Sequence, residues 1–511
     1  MTRRARRRSR AAACAAGALV SSVSLADPRI AAAQGARVVG VTTARLVELR
    51  QLATDSIRAA DVADTVGSLY RSADGIVADC IPGQPFCYYK RSADRVESVP
   101  LTQDILVNAW GFGTGVRAVA DVRLRAALGT KELWPRADDT FDALAAYVEI
   151  DRGQWRARGG RQWLGNNLGA YNFDGADVLY RWRPGWSVDA WGGWSLVRGL
   201  NEPHTSDEFA GVEDIPPEHR AYIIGASGRI PTSKRGGLSL LYQREIRTDL
   251  GGLYSERAAA DWSARFSRAS VDASWQHDLA YNRVNEARLR VQAPFRAPAF
   301  LGRGAAFDVA AEYRHFVPFF EYWTIWGAFS PVGFDEARAT GVWSSPRRDV
   351  TVSAFGAWRD YGDTDAGTDF DPLKGSGWRA GADATWRMSP AWTATGGWAS
   401  DIGFGASRTD VDGAVRWARD NGAHLGAFAT GFQQVRELRL GTGRVIGAGL
   451  DGGVRLTPDV RVLGDVAIYQ HRDRDGGSPS PDWSQRRATL RLEWTMGSDP
   501  GMARARAGDG R

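Results

Sequence analysis

The chain has 511 residues, a mean hydropathy of −0.34, and 65 basic against 59 acidic side chains. No apolar run reaches the length of a membrane-spanning helix, so helical spans are excluded. The arginines alternate with Asp and Glu instead of forming a continuous basic face beside stacking aromatics, which excludes a nucleic-acid surface. Lys occurs only at Lys90, Lys131, Lys234 and Lys374, so the net charge of +6 is carried by arginine.

At the N-terminus Arg3, Arg4, Arg6, Arg7, Arg8 and Arg10 precede the weakly apolar stretch Ala11 to Ala26, and Ala31-Ala32-Ala33 stands before Gln34. A basic start, an apolar middle and a small-residue cleavage site predict a secretory signal peptide over residues 1–33. Cys14 falls within it and lacks the Leu of a lipobox. Cys80 and Cys87 then remain as the cysteines of the exported chain. They flank the turn-like Ile81-Pro82-Gly83-Gln84-Pro85-Phe86, and an oxidising compartment predicts a disulfide between them. A redox pair would want C-x-x-C spacing, and no His lies near for a metal. Residues 34–103 read as a small periplasmic or lumen-facing subdomain around that disulfide hairpin. Within it Val38 to Val47 suits a strand or hairpin. Leu52, Ile57, Val62 and Val66 suggest a weak helix up to Tyr70. Asp104 to Gly113 either prolongs the first strand of the next unit or lies inside it.

From Arg117 to Trp494 polar and apolar residues alternate in short runs. In the last, Arg487, Thr489, Arg491 and Glu493 interleave with Ala488, Leu490, Leu492 and Trp494. Strand period two places such sets on opposite faces. The joints alternate as well. Short ones such as Arg183-Pro184-Gly185, Met388-Ser389-Pro390 and Thr457-Pro458-Asp459 take turns with longer ones such as 165–172, 201–219, 316–334 and 362–375. Short turns on one rim and long loops on the other are the pattern of an outer-membrane barrel. The fold expected for 104–496 is therefore all-β: a transmembrane, antiparallel, up-and-down β-barrel of about 20 strands, range roughly 18–22, each long enough to cross a bilayer. Two joints break the rhythm, Pro294 to Gly304 and Gly251-Gly252. The 21 Trp residues suit interfacial girdles; the alternative is core or sugar-binding aromatics of a soluble β protein. Residues 497–511 form a polar, disordered tail.

Chemistry has little to stand on. His204, His219, His277, His315, His424 and His471 are not paired at metal-ligand spacing, and no G-x-S-x-G marks a nucleophile. Neither a catalytic residue nor a cofactor is expected. Asp363, Asp365 and Asp369 resemble half of a calcium loop, but Lys374 stands where the closing acid belongs. An acidic outer loop sharing divalent ions with lipopolysaccharide is the simpler reading. The alternation assigns to the lumen Arg117, Asp121, Arg123, Arg125, Arg156, Arg158, Arg288, Arg290, Arg379, Asp383, Arg408, Asp410, Asp412, Arg416, Arg487 and Arg491, a set leaning towards anions. Phe319, Phe320, Tyr322, Trp323, Trp326 and Phe329 are too aromatic for a solvated loop. They are expected either to fold inward as a constriction facing a solute, or to join the outer girdle.

Gly160-Arg161-Gln162-Trp163 followed by Tyr171-Asn172-Phe173-Asp174-Gly175-Ala176 resembles the G-R-Q … F-D-G signature of porin-like outer-membrane proteins of the alginate-export type. The resemblance covers this stretch and the general sawtooth, and it implies the porin-like class without transferring a substrate. Such families often end on an aromatic residue read by the barrel-assembly machinery; here Trp494 ends the last strand, and the tail after it departs from that pattern. The function expected is an outer-membrane channel, reached after export to the periplasm, for small hydrophilic solutes, anions or saccharides among them. The alternatives are a structural or adhesive barrel, or a barrel-embedded lipid-modifying enzyme. Its partners would be outer-membrane lipid, lipopolysaccharide, the assembly machinery and the solutes, with oligomeric state left open.

Overall fold

A computed structural model of the chain describes residues 35–497, apart from 67–68, 73–76, 82, 113, 130–139, 196–220, 248–251, 297–303, 318–332, 362–374, 404–405, 438–440 and 474–482. Residues 1–33, expected as a signal peptide, the tail beyond Gly497, the aromatic group 319–329 and the acidic group 363–369 thus lie outside the described residues.

Period-two patterning yields strands almost throughout. In chain order they are β1 (Ala36–Arg58), β2 (Val62–Val66), β3 (Leu69–Ser72), β4 (Val77–Cys80), β5 (Phe86–Trp110), β6 (Val116–Gly129), β7 (Phe141–Asp151), β8 (Trp155–Asn166) and β9 (Gly169–Arg183). Then come β10 (Trp186–Ser195), β11 (Ala221–Ser233), β12 (Gly236–Arg247), β13 (Gly252–Arg265), β14 (Ser270–Asp278), β15 (Arg283–Arg296), β16 (Ala306–Phe316) and β17 (Phe334–Ser344). The last are β18 (Val350–Asp360), β19 (Ser376–Arg387), β20 (Trp392–Gly403), β21 (Ala406–Ala418), β22 (His424–Glu437), β23 (Gly441–Thr457), β24 (Val460–Asp473) and β25 (Trp483–Gly497).

Each strand from β5 to β25 pairs antiparallel with its sequence neighbours. β1 closes the circle, with Arg37 to Val47 against Arg487 to Gly497 on one side and against β5 on the other. The result is a closed 22-strand antiparallel barrel among the described residues. Closure removes the unpaired edges that an open sheet of this size would present. The first and last wall strands meet at the rim of short turns, since Arg37 faces Gly497 there.

The seam depends on a missing side chain. Trp494 lies across Gly40, where a Cβ would stand 2.0 Å from the indole ring. Only glycine lets the ring lie flat against the wall.

The two faces differ in chemistry. The convex face carries Leu124, Leu240, Leu289, Val291, Val411, Leu450, Val466 and Leu490, all exposed to an extent that only an apolar solvent explains. Near the turn rim it carries Trp182, Trp386 and Trp392, and near the other rim Tyr313, Trp358 and Trp378. From Trp386 to Trp378 a strand tilted by about 40° rises roughly 21 Å, the height of a barrel's apolar band. One polar pair on this face is self-contained: Thr42 Oγ1 donates to Gln103 Oε1, and Gln103 Nε2 donates to the Asp104 carbonyl at 3.1 Å.

The segment expected as a separate subdomain, 34–103, is divided instead. Residues 36–47 and 98–110 are barrel wall. Beyond them Glu48 to Arg58 and Phe86 to Glu97 continue as a two-stranded ribbon past the loop rim, roughly 35 Å long at about 3.3 Å per residue. Its base is fixed by buried Glu48, which meets Arg95 at 3.3 Å and accepts from the Arg486 N–H at 2.9 Å. Among the described residues, the weak helix expected over 52–70 is likewise strand, interrupted by a 3-10 turn at Ala59–Asp61. Four spaced apolar residues suit a strand equally well when a partner strand is available to pair with. β2 and β3 form a small sheet of their own, and β4 returns the chain to β5 with Cys80 disulfide-bonded to Cys87 across the pair, Cα atoms 4.3 Å apart.

Candidate functional site: the lumen wall and an inward hairpin

The concave face gathers the charges. All sixteen residues assigned to the lumen share the face opposite the apolar set, because the strand pairing keeps their parity. Most of the cations among them do not stand alone. Glu149 accepts from Arg117 at 2.9 Å and from Arg158 at 2.7 Å, and Arg156 meets Asp177 at 3.2 Å. Arg123 holds Asp104 at 2.5 Å, Arg125 holds Asp142 at 3.1 Å, and Arg288 holds Glu312 at 2.8 Å. Arg379 pairs with Asp401 at 2.8 Å, Arg408 with Asp410 at 2.8 Å, and Arg491 with Glu493 at 2.9 Å. Asp383 accepts from Ser353 at 2.6 Å, and Arg487 lies over the Tyr469 ring. Asp121, Arg290, Asp412 and Arg416 share the same face. These pairs, across strands or two residues apart on one strand as at Arg408–Asp410 and Arg491–Glu493, balance charge locally, so the anionic lean read from the arginines alone is reduced.

The lumen is not left clear. β8 pairs with β7 only as far as Arg161 opposite Ala146, and β9 with β10 only as far as Phe173 opposite Ser195. Their mutual pairing runs on to Asn166 opposite Gly169. The hairpin tip therefore leaves the wall and crosses the inner face of β10 to β14. Gln276 Nε2 on β14 donates to the Asn167 carbonyl at 2.7 Å, and Asn166 Nδ2 donates to Gln243 Oε1 on β12 at 3.2 Å. Leu168 and Phe173 bury against Trp191, Ile223, Leu241 and Ala259, with Leu164 and Tyr171 packed alongside.

Beneath the tip lies a buried polar latch. Arg257 is 2% exposed, Gln243 1% and Glu245 6%. Arg257 Nη2 donates to the Tyr171 hydroxyl and stands 3.9 Å from Glu245, while its Nε donates to Ser255 Oγ at 3.2 Å. Gln243 Nε2 donates to Glu245 Oε1 at 3.3 Å. A buried carboxylate needs such partners, since leaving it unpaired costs several kcal/mol, about 3–5.

The motif that carried the family resemblance is the base of this hairpin. Gly160 has φ +125, and a Cβ there would lie 2.3 Å from the Ala146 carbonyl oxygen. Arg161 grips Asp174 across the two strands with bonds of 2.8 and 3.0 Å. Gln162 and Phe173 turn inward and are buried. Gly175 lets β9 close on β10, where a Cβ would lie 2.1 Å from the Gly192 carbonyl oxygen. Two glycines, one bidentate ion pair and two inward side chains make a bend. The joint 165–172, expected as an outer loop, is this inward tip, and its signal was the apolar Leu164, Leu168, Tyr171 and Phe173 within an otherwise loop-like stretch.

Among the described residues, no group of three or more His, Cys, Asp or Glu side chains is placed to hold a metal ion. The aromatic group 319–329, expected to fold inward or to join the outer girdle, and the weak calcium candidate Asp363, Asp365 and Asp369 fall outside those residues.

A closed barrel with an apolar jacket and a charged, hydrogen-bonded interior is a porin-like outer-membrane barrel in architecture. No protein-family model matches the chain, and no curated protein matches it. Among solved structures, the P pilus usher PapC translocation pore is similar over 90% of this chain and 100% of its own, at 10% identity and a TM-score of 0.42. Pseudomonas aeruginosa OpdQ is similar over 91% and 98%, at 8% identity and a TM-score of 0.40. A BenF-like porin from Pseudomonas fluorescens Pf-5 is similar over 90% and 99%, at 9% identity and a TM-score of 0.35. At these scores no property of those proteins carries over to this chain.

Proposed function

We propose that the protein is an outer-membrane channel for small hydrophilic solutes, narrowed by the β8–β9 hairpin, and not an enzyme. The observation that carries this reading is the polarity of the barrel. Arginines and carboxylates face inward around a ring of 22 strands, and the leucines and valines face outward. Barrels beyond about sixteen strands are too wide for side chains to fill, so their lumen holds water or a plug. The docked hairpin takes up part of that width and leaves the wall opposite β10 to β14 uncovered by it.

Local pairing of the lumen charges supports a modest charge preference and passage of neutral as well as anionic solutes, saccharides included. Liposome swelling tests this. Proteoliposomes should swell in isotonic pentose or hexose faster than protein-free vesicles, at rates that fall as the sugar grows. Equal rates with and without the protein would contradict the proposal. The ribbon beyond the loop rim supports a second reading, an adhesive or structural barrel; swelling at the protein-free rate together with intact insertion would favour it.

A further inference from the structure

Six of the barrel's short turns carry an exposed cation. Arg152, Arg183, Arg235, Arg268, Arg348 and Arg419 stand in or beside the turns that follow β7, β9, β11, β13, β17 and β21, and each is exposed. Their surroundings differ from those of the lumen arginines. None of the six forms a side-chain ion pair with another described residue, whereas Arg117, Arg158 and Arg288 are held by carboxylates. Arg419 instead lies over the Trp417 ring, its guanidinium carbon 5.5 Å from the centroid.

Their height on the barrel gives these charges a meaning beyond solvation. They sit just outside the aromatic girdle of the turn rim, beside Trp182, Phe266, Trp386 and Trp392, all exposed on the convex face. Indole rings settle at the headgroup level of a bilayer, so the guanidinium groups next to them meet phosphates. Successive turns are two strands apart, about 10 Å, which is close to the width of one phospholipid headgroup. A planar guanidinium grips phosphate oxygens in pairs. The same rim also holds Asp151, Asp349, Asp420 and Asp459, and its arginines outnumber them.

We infer that the turn rim is a binding ring for anionic phospholipid headgroups of the leaflet it meets. The inference rests on the membrane-barrel reading and not on conduction. A basic side chain at an anionic surface contributes about a fivefold preference. A headgroup bridged by two arginines is therefore favoured about 25-fold over a zwitterionic one of the same acyl chains.

The test uses the full mature protein in nanodiscs of phosphatidylcholine and phosphatidylglycerol mixed in equal amounts, released into detergent, with retained lipid read by native mass spectrometry. Wild-type protein should keep phosphatidylglycerol at least tenfold over phosphatidylcholine, and 0.5 M salt should remove most of that excess. A variant with the six arginines changed to Gln should insert, show heat-modifiable mobility and keep the two lipids equally. Equal retention by wild-type protein, a preference indifferent to salt, or a preference that survives in the folded variant would each overturn the inference. Should the variant not fold, the salt titration of wild-type protein decides alone. Loss of conductance in the same wild-type sample would count against the channel reading and leave this one standing.

Discussion

Arg257→Met removes the cation from the latch beneath the hairpin, and the structure sets the size of the effect. Glu245 is almost fully buried, with Arg257 as its cationic partner at 3.9 Å. Stripping a buried carboxylate of its partner costs about 3–5 kcal/mol, and the looseness of this pair places the value near the lower end. The lost bond to Tyr171 adds about 1 kcal/mol. Against this, Leu168 and Phe173 hold the tip with about 1.5–3 kcal/mol each. The perturbation is thus comparable to the force that docks the tip. The easiest relief is for the hairpin to lift and admit water to Glu245. Cysteines at Asn167 and Gln276, whose main chain and side chain are bonded at 2.7 Å in the docked state, report the lift. Oxidative cross-linking should be fast in the otherwise wild-type background and slower by at least tenfold with Arg257→Met. Glu245→Gln on top of Arg257→Met should restore much of the rate, because the stranded charge is gone. Equal cross-linking in all three backgrounds would refute the latch.

Other outcomes follow from the same geometry. Leu289→Arg, on the convex face at mid-strand, should destabilise the barrel by about 2–4 kcal/mol in urea refolding, while Trp262→Arg, close to the turn rim, should change it by about 0–1 kcal/mol; equal losses at the two positions would contradict the assigned depth. Gly40→Leu should block closure of β1 on β25, because Trp494 occupies the space of any side chain there, and normal heat-modifiable folding of that mutant would contradict the seam. Replacing Cys80 and Cys87 by Ser should leave barrel melting unchanged yet speed proteolysis of the ribbon, since the bridge ties β4 to β5 beyond the wall; a fall in barrel stability would show that ribbon and wall unfold together. Arg158→Ala exposes Glu149 and Asp177 to the lumen and should move the reversal potential in a salt gradient towards cations, and an unmoved potential would mean that this face is not on the ion path.

Much of the barrel is legible from residues 487–494, 257–266 and 286–293, because a wall between lipid and water imposes strict alternation on each strand separately. The short turns are legible from Pro, Gly and Arg for the same local reason. The closing strand is not. Val38, Val39 and Val41 put apolar groups on both faces, and the partner that makes them a wall strand lies at the far end of the chain. The hairpin is hidden for a related reason. Its inward course depends on Trp191, Ile223, Leu241, Gln243, Arg257 and Gln276, none of them near 160–175 in sequence, so the glycines and the Arg161–Asp174 pair can be read as a family motif but not as a bend. The ion pairing of the lumen arginines was equally out of reach, since parity places a charge on a face while only strand register supplies its partner.

The central claim, a water-filled path through this barrel, is tested most directly by single-channel current in planar bilayers. Purified wild-type protein should give discrete ohmic steps, and replacing Asn166-Asn167-Leu168-Gly169 with a two-residue turn, which removes the docked tip, should raise the step size. Protein that inserts with native heat-modifiable mobility yet carries no current, both intact and without the tip, would contradict it.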